Sequence, residues 1–237
     1  MTHDAAMLLD LWALGQGRGH GARAILLLGE GAGALTLGAR DAALLRLRQR
    51  LFGETIAALA ACPCCGAQSE VALAHAALEG EVARAGQAPG EFTLHEAGFE
   101  LRCRPLRADD VPALEAAGNP ARIGEVVLRR CVLAAAREGE AVAAATLPEA
   151  VREAVAAAVL AADPCAELLL DLSCPECAAQ WQVPLEPGAF LWRELDGWAL
   201  RTMQEVHRLA VAHGWSERDC LAIPAARRAV YLALAAP

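Results

Sequence analysis

Nine cysteines occur in 237 residues, and five of them fall in two short motifs, Cys62-Pro-Cys-Cys65-Gly66 and Cys174-Pro-Glu-Cys177. A C-x2-C turn sets two sulfurs on one side of a tight loop, where both reach a tetrahedral ion at about 2.3 Å. Proline after the first cysteine stiffens each turn, and Gly66 accepts the positive φ that such a knuckle needs. Two complete pairs fill a tetrahedron, so Cys62, Cys65, Cys174 and Cys177 are expected to bind one structural Zn2+. Catalytic zinc keeps an open position and uses His or carboxylate ligands, which argues against hydrolysis here. Cys64 competes with Cys65 for the first knuckle, although C-x-C geometry is less favourable. A thioredoxin-like redox role needs a helix opening at the motif, whereas strand-like sequence follows both pairs. Cys103, Cys131, Cys165 and Cys220 sit in apolar surroundings and are expected in the core.

Other chemistry is sparse. His207 and His213 share the C-terminal helical stretch with Glu205, but no H-E-x-x-H pattern occurs, and packing or hydrogen bonding is the better reading. Gly15, Gly17 and Gly19 lack the Lys-Ser/Thr of a phosphate loop. No Ser/His/Asp order, nucleophile elbow or dinucleotide fingerprint is present. The protein is not expected to be an enzyme.

The elements that must position the cysteines are legible in outline. Residues 4–15 read as a short amphipathic helix with Met7, Leu8, Leu11 and Trp12 on one face, followed by a helix over 22–28. Residues 40–52 form a stronger helix, with Asp41 as its cap, Gly53 as its end and Arg46, Arg48 and Arg50 facing out. Residues 68–73 alternate like a strand, and 91–93 with 99–106 read as a hairpin. Helical periodicity covers 109–117, 123–137 and 147–160, the last with Pro148 in its opening turn. Residues 167–172 lead into the second knuckle and 180–185 lead out of it, both strand-like. A long helix runs from Phe190 toward Gly214, Ser216-Glu-Arg-Asp219 has capping-box form, and Pro224 opens a last helix. Residues 80–90 are the candidate mobile loop.

The expected fold is therefore α+β, mainly α-helical: a split zinc ribbon with short β-strands, a helical insertion and a C-terminal helical segment. The segments are 1–60 (helical), 61–110 (first knuckle and hairpin), 111–165 (helical insertion), 166–188 (second knuckle and strands) and 189–237 (helices), within one integrated domain. Between the pairs lie 108 residues, 66 through 173. A compact ribbon uses about 15–20. Loop-closure cost grows only logarithmically with length, so an inserted subdomain is permissible, and the metal staples distant parts of the chain.

Composition bounds the function. The apolar fraction is 56% and the charged fraction 21%, a globular balance rich in alanine, the best helix former. The net charge is −8 and no lysine occurs, which disfavours phosphate-backbone binding and with it a zinc-ribbon nucleic-acid binder. No apolar run approaches the roughly 20 residues of a membrane span, and the N-terminus lacks a signal-peptide pattern. A reducing, cytoplasmic setting is expected, where cysteines serve metals or cores rather than disulfides.

Several separated stretches together resemble the T4-type phage baseplate hub proteins and hub assembly chaperones of contractile tails and contractile injection systems. They are Leu11-Trp12 with its glycine-rich turn, Gly38-Ala-Arg40-Asp41, Leu44 to Arg48, Phe52-Gly53 and the two cysteine-proline knuckles. The most specific stretch runs from Phe190-Leu-Trp192-Arg-Glu-Leu195 through Trp198-Ala199 and Glu205 to Leu209, then Gly214-Trp215, Asp219, Leu221, Arg227-Arg228 and Tyr231-Leu232. One departure is Ala178, where glycine would ease the second knuckle. The resemblance implies an assembly chaperone working on baseplate hub or wedge proteins in the bacterial cytoplasm. The alternative it leaves is a permanent hub subunit incorporated in the particle. Neither nucleic acid, membrane nor small-molecule substrate is an expected partner. In a chain with 4% aromatics, Trp192, Trp198, Trp215 and Tyr231 are the candidate partner-binding anchors.

Overall fold

The computed structural model describes residues 4–85, 88 and 90–235. In chain order the elements begin with α1 (Ala5–Gly15), α2 (His20–Leu28), α3 (Leu37–Phe52), β1 (Thr55–Ala61), β2 (Gln68–Ala74) and α4 (Glu79–Arg84). Then come β3 (Phe92–Glu96), β4 (Phe99–Cys103), α5 (Val111–Ala117), α6 (Pro120–Cys131), β5 (Val132–Arg137), β6 (Glu140–Ala141) and α7 (Glu149–Ala162). β7 (Leu168–Ser173), β8 (Gln180–Leu185), α8 (Pro187–His213), α9 (Glu217–Ala222) and α10 (Ala225–Leu234) complete it. The fold is mixed α+β and mainly helical, with small antiparallel sheets. β1–β2 and β7–β8 are separate hairpins, and β3-β4-β5-β6 form a meander. The chain divides into two compact units, 19–190 and the two terminal stretches 1–18 with 191–237.

In the larger unit, one core lies behind both cysteine hairpins. Ile56 at the foot of β1 and Leu168 at the start of β7 are buried in the same cluster as Leu45 of α3 and Leu78 and Val82 beside and on α4. That shared cluster fixes the two hairpins relative to each other. A second device acts at the run-in to β7. The Gly38 N–H donates to Asp163 Oδ2 at 2.8 Å, and a Cβ on Gly38 would stand 2.8 Å from Cys165 Cβ and 2.9 Å from its carbonyl carbon. Only glycine lets α3 approach the 164–166 turn this closely. Gly38→Ala is expected to cost about 1–3 kcal/mol through overpacking, read by chemical denaturation.

A second core joins the meander to α6 and α7. Leu101, Cys103, Cys131, Val151 and Val155 are almost wholly buried there. The two-residue turn Ala97-Gly98 has φ of 48° and 79°, the primed geometry that matches strand twist.

Several boundaries differ from the sequence expectation. The stretch 55–61, Thr-Ile-Ala-Ala-Leu-Ala-Ala, lies mostly within the segment expected to be helical. It is a strand because it pairs residue by residue with β2, from Thr55 with Ala74 to Ala61 with Gln68, and pairing overrides alanine's helix propensity. The helix expected over 123–137 stops at Cys131, and 132–137 pairs with β4, so segment 111–165 is not purely helical. Thr36, not Asp41, caps α3, its side chain accepting from the Ala39 N–H. Asp41 lies inside the helix, buried and paired with Arg40 at 2.7 Å. Arg48 is buried too, donating to the carbonyls of Gly53 and Thr55 at 2.6 and 2.7 Å, where it ties the end of α3 to β1. Within the expected mobile loop, 80–84 belong to α4, while Gly86, Gln87 and Pro89 lie outside the described residues.

The smaller unit has its own core, in which Leu9, Ala199, Leu209, Cys220 and Leu221 are buried. Ser216 and Asp219 form the expected capping box of α9. Trp12 Nε1 donates to Asp196 Oδ1 at 2.7 Å, tying α1 to α8.

Candidate metal centre

Each cysteine motif forms the tip of a two-stranded hairpin, and the two tips are built alike. In the first, the Cys62 N–H donates to the Ala67 carbonyl at 2.9 Å, and the Gly66 N–H returns to the Cys62 carbonyl at 2.9 Å. In the second, the Cys174 N–H donates to Ala179 at 2.9 Å and the Ala178 N–H to Cys174 at 3.0 Å. Both turns therefore need a left-handed residue at the same place. Gly66 supplies it at φ 74°, and Ala178 adopts it at φ 58°.

That asymmetry is measurable. Left-handed backbone costs alanine about 1–2 kcal/mol, part of which glycine returns as unfolded-state entropy. Ala178→Gly should stabilise the protein by about 0.5–1 kcal/mol, and Gly66→Ala should destabilise it by about 1 kcal/mol. Urea denaturation of the two variants checks both signs.

The hairpins meet tip to tip. Cys62 Sγ lies 3.7 Å from Cys177 Sγ, and Cys65 Sγ lies 3.6 Å from Cys174 Sγ. The first cysteine of each knuckle thus faces the second of the other. All four ligand atoms fall within 4.8 Å of one another. A disulfide would bring a pair to about 2.05 Å, and none of these thiols is oxidised. Four sulfurs at about 2.3 Å from a central ion stand about 3.8 Å apart along each tetrahedral edge. The observed spacing fits such an ion with little adjustment. Cys62 and Cys174 are buried, whereas Cys65 and Cys177 are exposed, so the site has a protein side and a solvent side.

The Cys65 backbone N–H, above all, lowers Cys62 to about 7, aided by the Cys64 N–H, which stands 3.4 Å from its sulfur, and by the Cys174 and Cys177 thiols. At Cys177 the Ala179 N–H lowers the value, but the Cys65, Cys174 and Cys62 sulfurs and loss of water push it up to about 12. One thiolate forms readily, and each further negative charge is harder to place beside it. A bound cation removes that conflict, because it stabilises all four as thiolates.

The structure brings together Cys62, Cys65, Cys174 and Cys177 as a group able to hold a metal ion. Cys64 is exposed and stands outside that group, so the ambiguity in the first knuckle resolves toward Cys65. Cys103, Cys131, Cys165 and Cys220 are buried. Burial pushes the Cys131 thiol up to about 12, which keeps it protonated and inert.

The proposed anchors divide. Trp192 is only 6% exposed and has Gly15 laid against its ring, so it fills space within the smaller unit instead of facing a partner. Trp198, Trp215 and Tyr231 are half-buried and pack on that unit's core. His213 stacks on Trp215 at 4.6 Å, and Tyr231 meets Trp215 edge-on at 5.0 Å, a packing role for His213. His207 is exposed on α8.

Among the described residues, no helix is long and apolar enough to cross a membrane. No family model, curated protein or solved structure matches the chain.

Proposed function

We propose that the two hairpins form a split zinc ribbon around one structural Zn2+, and that the protein is an accessory factor for assembly of the baseplate hub of a contractile phage tail or injection system. The single observation that carries the metal reading is that four sulfurs, from knuckles 108 residues apart, lie within 4.8 Å of one another. A full set of soft thiolate ligands suits zinc. It leaves no coordination position for a substrate, which supports a stapling role over catalysis. The resemblance described above supports the assembly role. The acidic, lysine-free composition supports a protein partner over nucleic acid.

Metal analysis of the purified protein should return one zinc per chain. Iron, or a fully folded protein with no metal, would overturn the zinc reading. For the assembly role, quantitative mass spectrometry should find the chain in soluble lysate and absent from purified contractile particles. Fixed stoichiometry with hub proteins in those particles would make it a structural subunit, and absence of any hub or wedge partner in lysate complexes would overturn both.

A further inference from the structure

We propose that the groove between α5, α6 and α7 is a docking surface for an acidic, amphipathic helix of a protein partner. The groove encloses about 740 Å3 within the larger unit. Its floor is small and apolar, with Ala113, Ala116 and Ala117 of α5 set against Leu128 of α6. Small side chains let a partner's backbone come close, and alanine floors suit a helix better than a bulky loop.

The rim gives the occupant its charge. Arg122 and Arg129 line it from α6 and Arg152 from α7, against a single carboxylate, Glu125. Arg152 is engaged by Glu149 at 3.3 Å. The Arg122 and Arg129 side chains are exposed and have no ion pair among the described residues. These two stand two turns apart, about 10 Å along the helix axis, the spacing of carboxylates at i and i+7 on a facing helix. A net charge of −8 disfavours an acidic segment on the chain as a whole. A cationic rim beside apolar side chains is complementary to one, and it steers such a segment here. Single exposed ion pairs are weak. The floor therefore supplies affinity, and the arginines supply orientation and choice of partner.

The experiment selects a displayed library of helical peptides on the metal-loaded, full-length protein, then measures the winners against Arg122→Glu/Arg129→Glu and Ala116→Trp. All three positions are exposed, and unchanged melting and metal content establish that the variants fold. Enriched peptides should carry Asp or Glu flanking an apolar stripe, bind the charge-reversed variant at least about tenfold more weakly, lose affinity with added salt and fail on Ala116→Trp. The proposal is overturned if no peptide is enriched or if the winners are not acidic. It is equally overturned if they bind the variants as well as the wild type, or if a single-stranded oligonucleotide binds this rim more tightly than any peptide. Loss of metal without loss of peptide binding would count against the staple alone and leave the groove standing.

Discussion

Cys174→Ser is expected to lose the bound metal and to destabilise the 19–190 unit by about 4–5 kcal/mol, the scale of a cross-link closing a loop of about 100 residues. The two hairpins share a foot in one core, through Ile56 and Leu168, and their tips meet at the four cysteine sulfurs. Beyond buried Ile56, β1 is almost wholly exposed, and β2 alternates exposed with half-buried residues; a lone two-stranded hairpin is marginal in water. On the proposed metal reading, the ion would supply the attraction at the tips. Cys64→Ser is the matched control, since Cys64 lies outside the sulfur cluster and is exposed; it should retain one metal and change stability by less than about 0.5 kcal/mol. Melting curves with parallel metal analysis decide the matter, and a metal-free Cys174→Ser with the wild-type melting temperature would remove the staple. Acid should release the ion as well. Metal binding displaces protons from thiols, one of which sits near 7 and another near 12, so apparent affinity must fall as pH falls.

Asp110→Ala is expected to cost about 3–5 kcal/mol, because it removes the buried carboxylate of an ion pair and leaves the half-buried Arg104 guanidinium without its countercharge. Asp110 is 1% exposed. It accepts two hydrogen bonds from Arg104, at 2.8 and 3.1 Å, and one from the Arg107 N–H at 2.9 Å. Arg130 adds a longer contact at 3.9 Å. Burial by itself would raise the Asp110 pKa. The Arg104 and Arg107 hydrogen bonds and the nearby positive charges outweigh it and hold the carboxyl below the usual range. A depressed folded value means that this stabilisation is fully present above the unfolded value of about 3.9 and is lost as pH falls through the folded one. Wild-type stability should thus decline below about pH 4, and that part of the decline should be absent in Asp110→Ala. Denaturation curves between pH 2.5 and pH 7 test both the size and the window.

The cysteine spacing alone was enough to name the four residues that come together as a group able to hold a metal ion. C-x2-C is a local motif, and its chemistry depends on a turn that proline and glycine write directly into the chain. Helix ends marked by local signals were similarly legible: Gly53 after α3, and Ser216 with Asp219 at α9. The elements that local signals misrepresented are those whose state depends on a distant partner. Residues 55–61 are alanine-rich and become a strand only through pairing with β2. Residues 132–137 continue a helical pattern but are captured by β4 across some thirty positions of sequence. Arg48 reads as a solvated helix residue and Asp41 as a helix cap, whereas Arg48 is buried against the carbonyls of Gly53 and Thr55 and Asp41 is buried inside the helix. Trp192 belongs to the same class, since the glycine that receives its ring lies 177 positions away, at Gly15. What the amino-acid order determined by itself was which groups could ligate and where helices must start or stop. Only tertiary structure decided that Cys62 faces Cys177 rather than Cys174, and that three arginines converge around an alanine floor. Those are facts of position, set by a shared core and by close glycine contacts that no periodicity encodes.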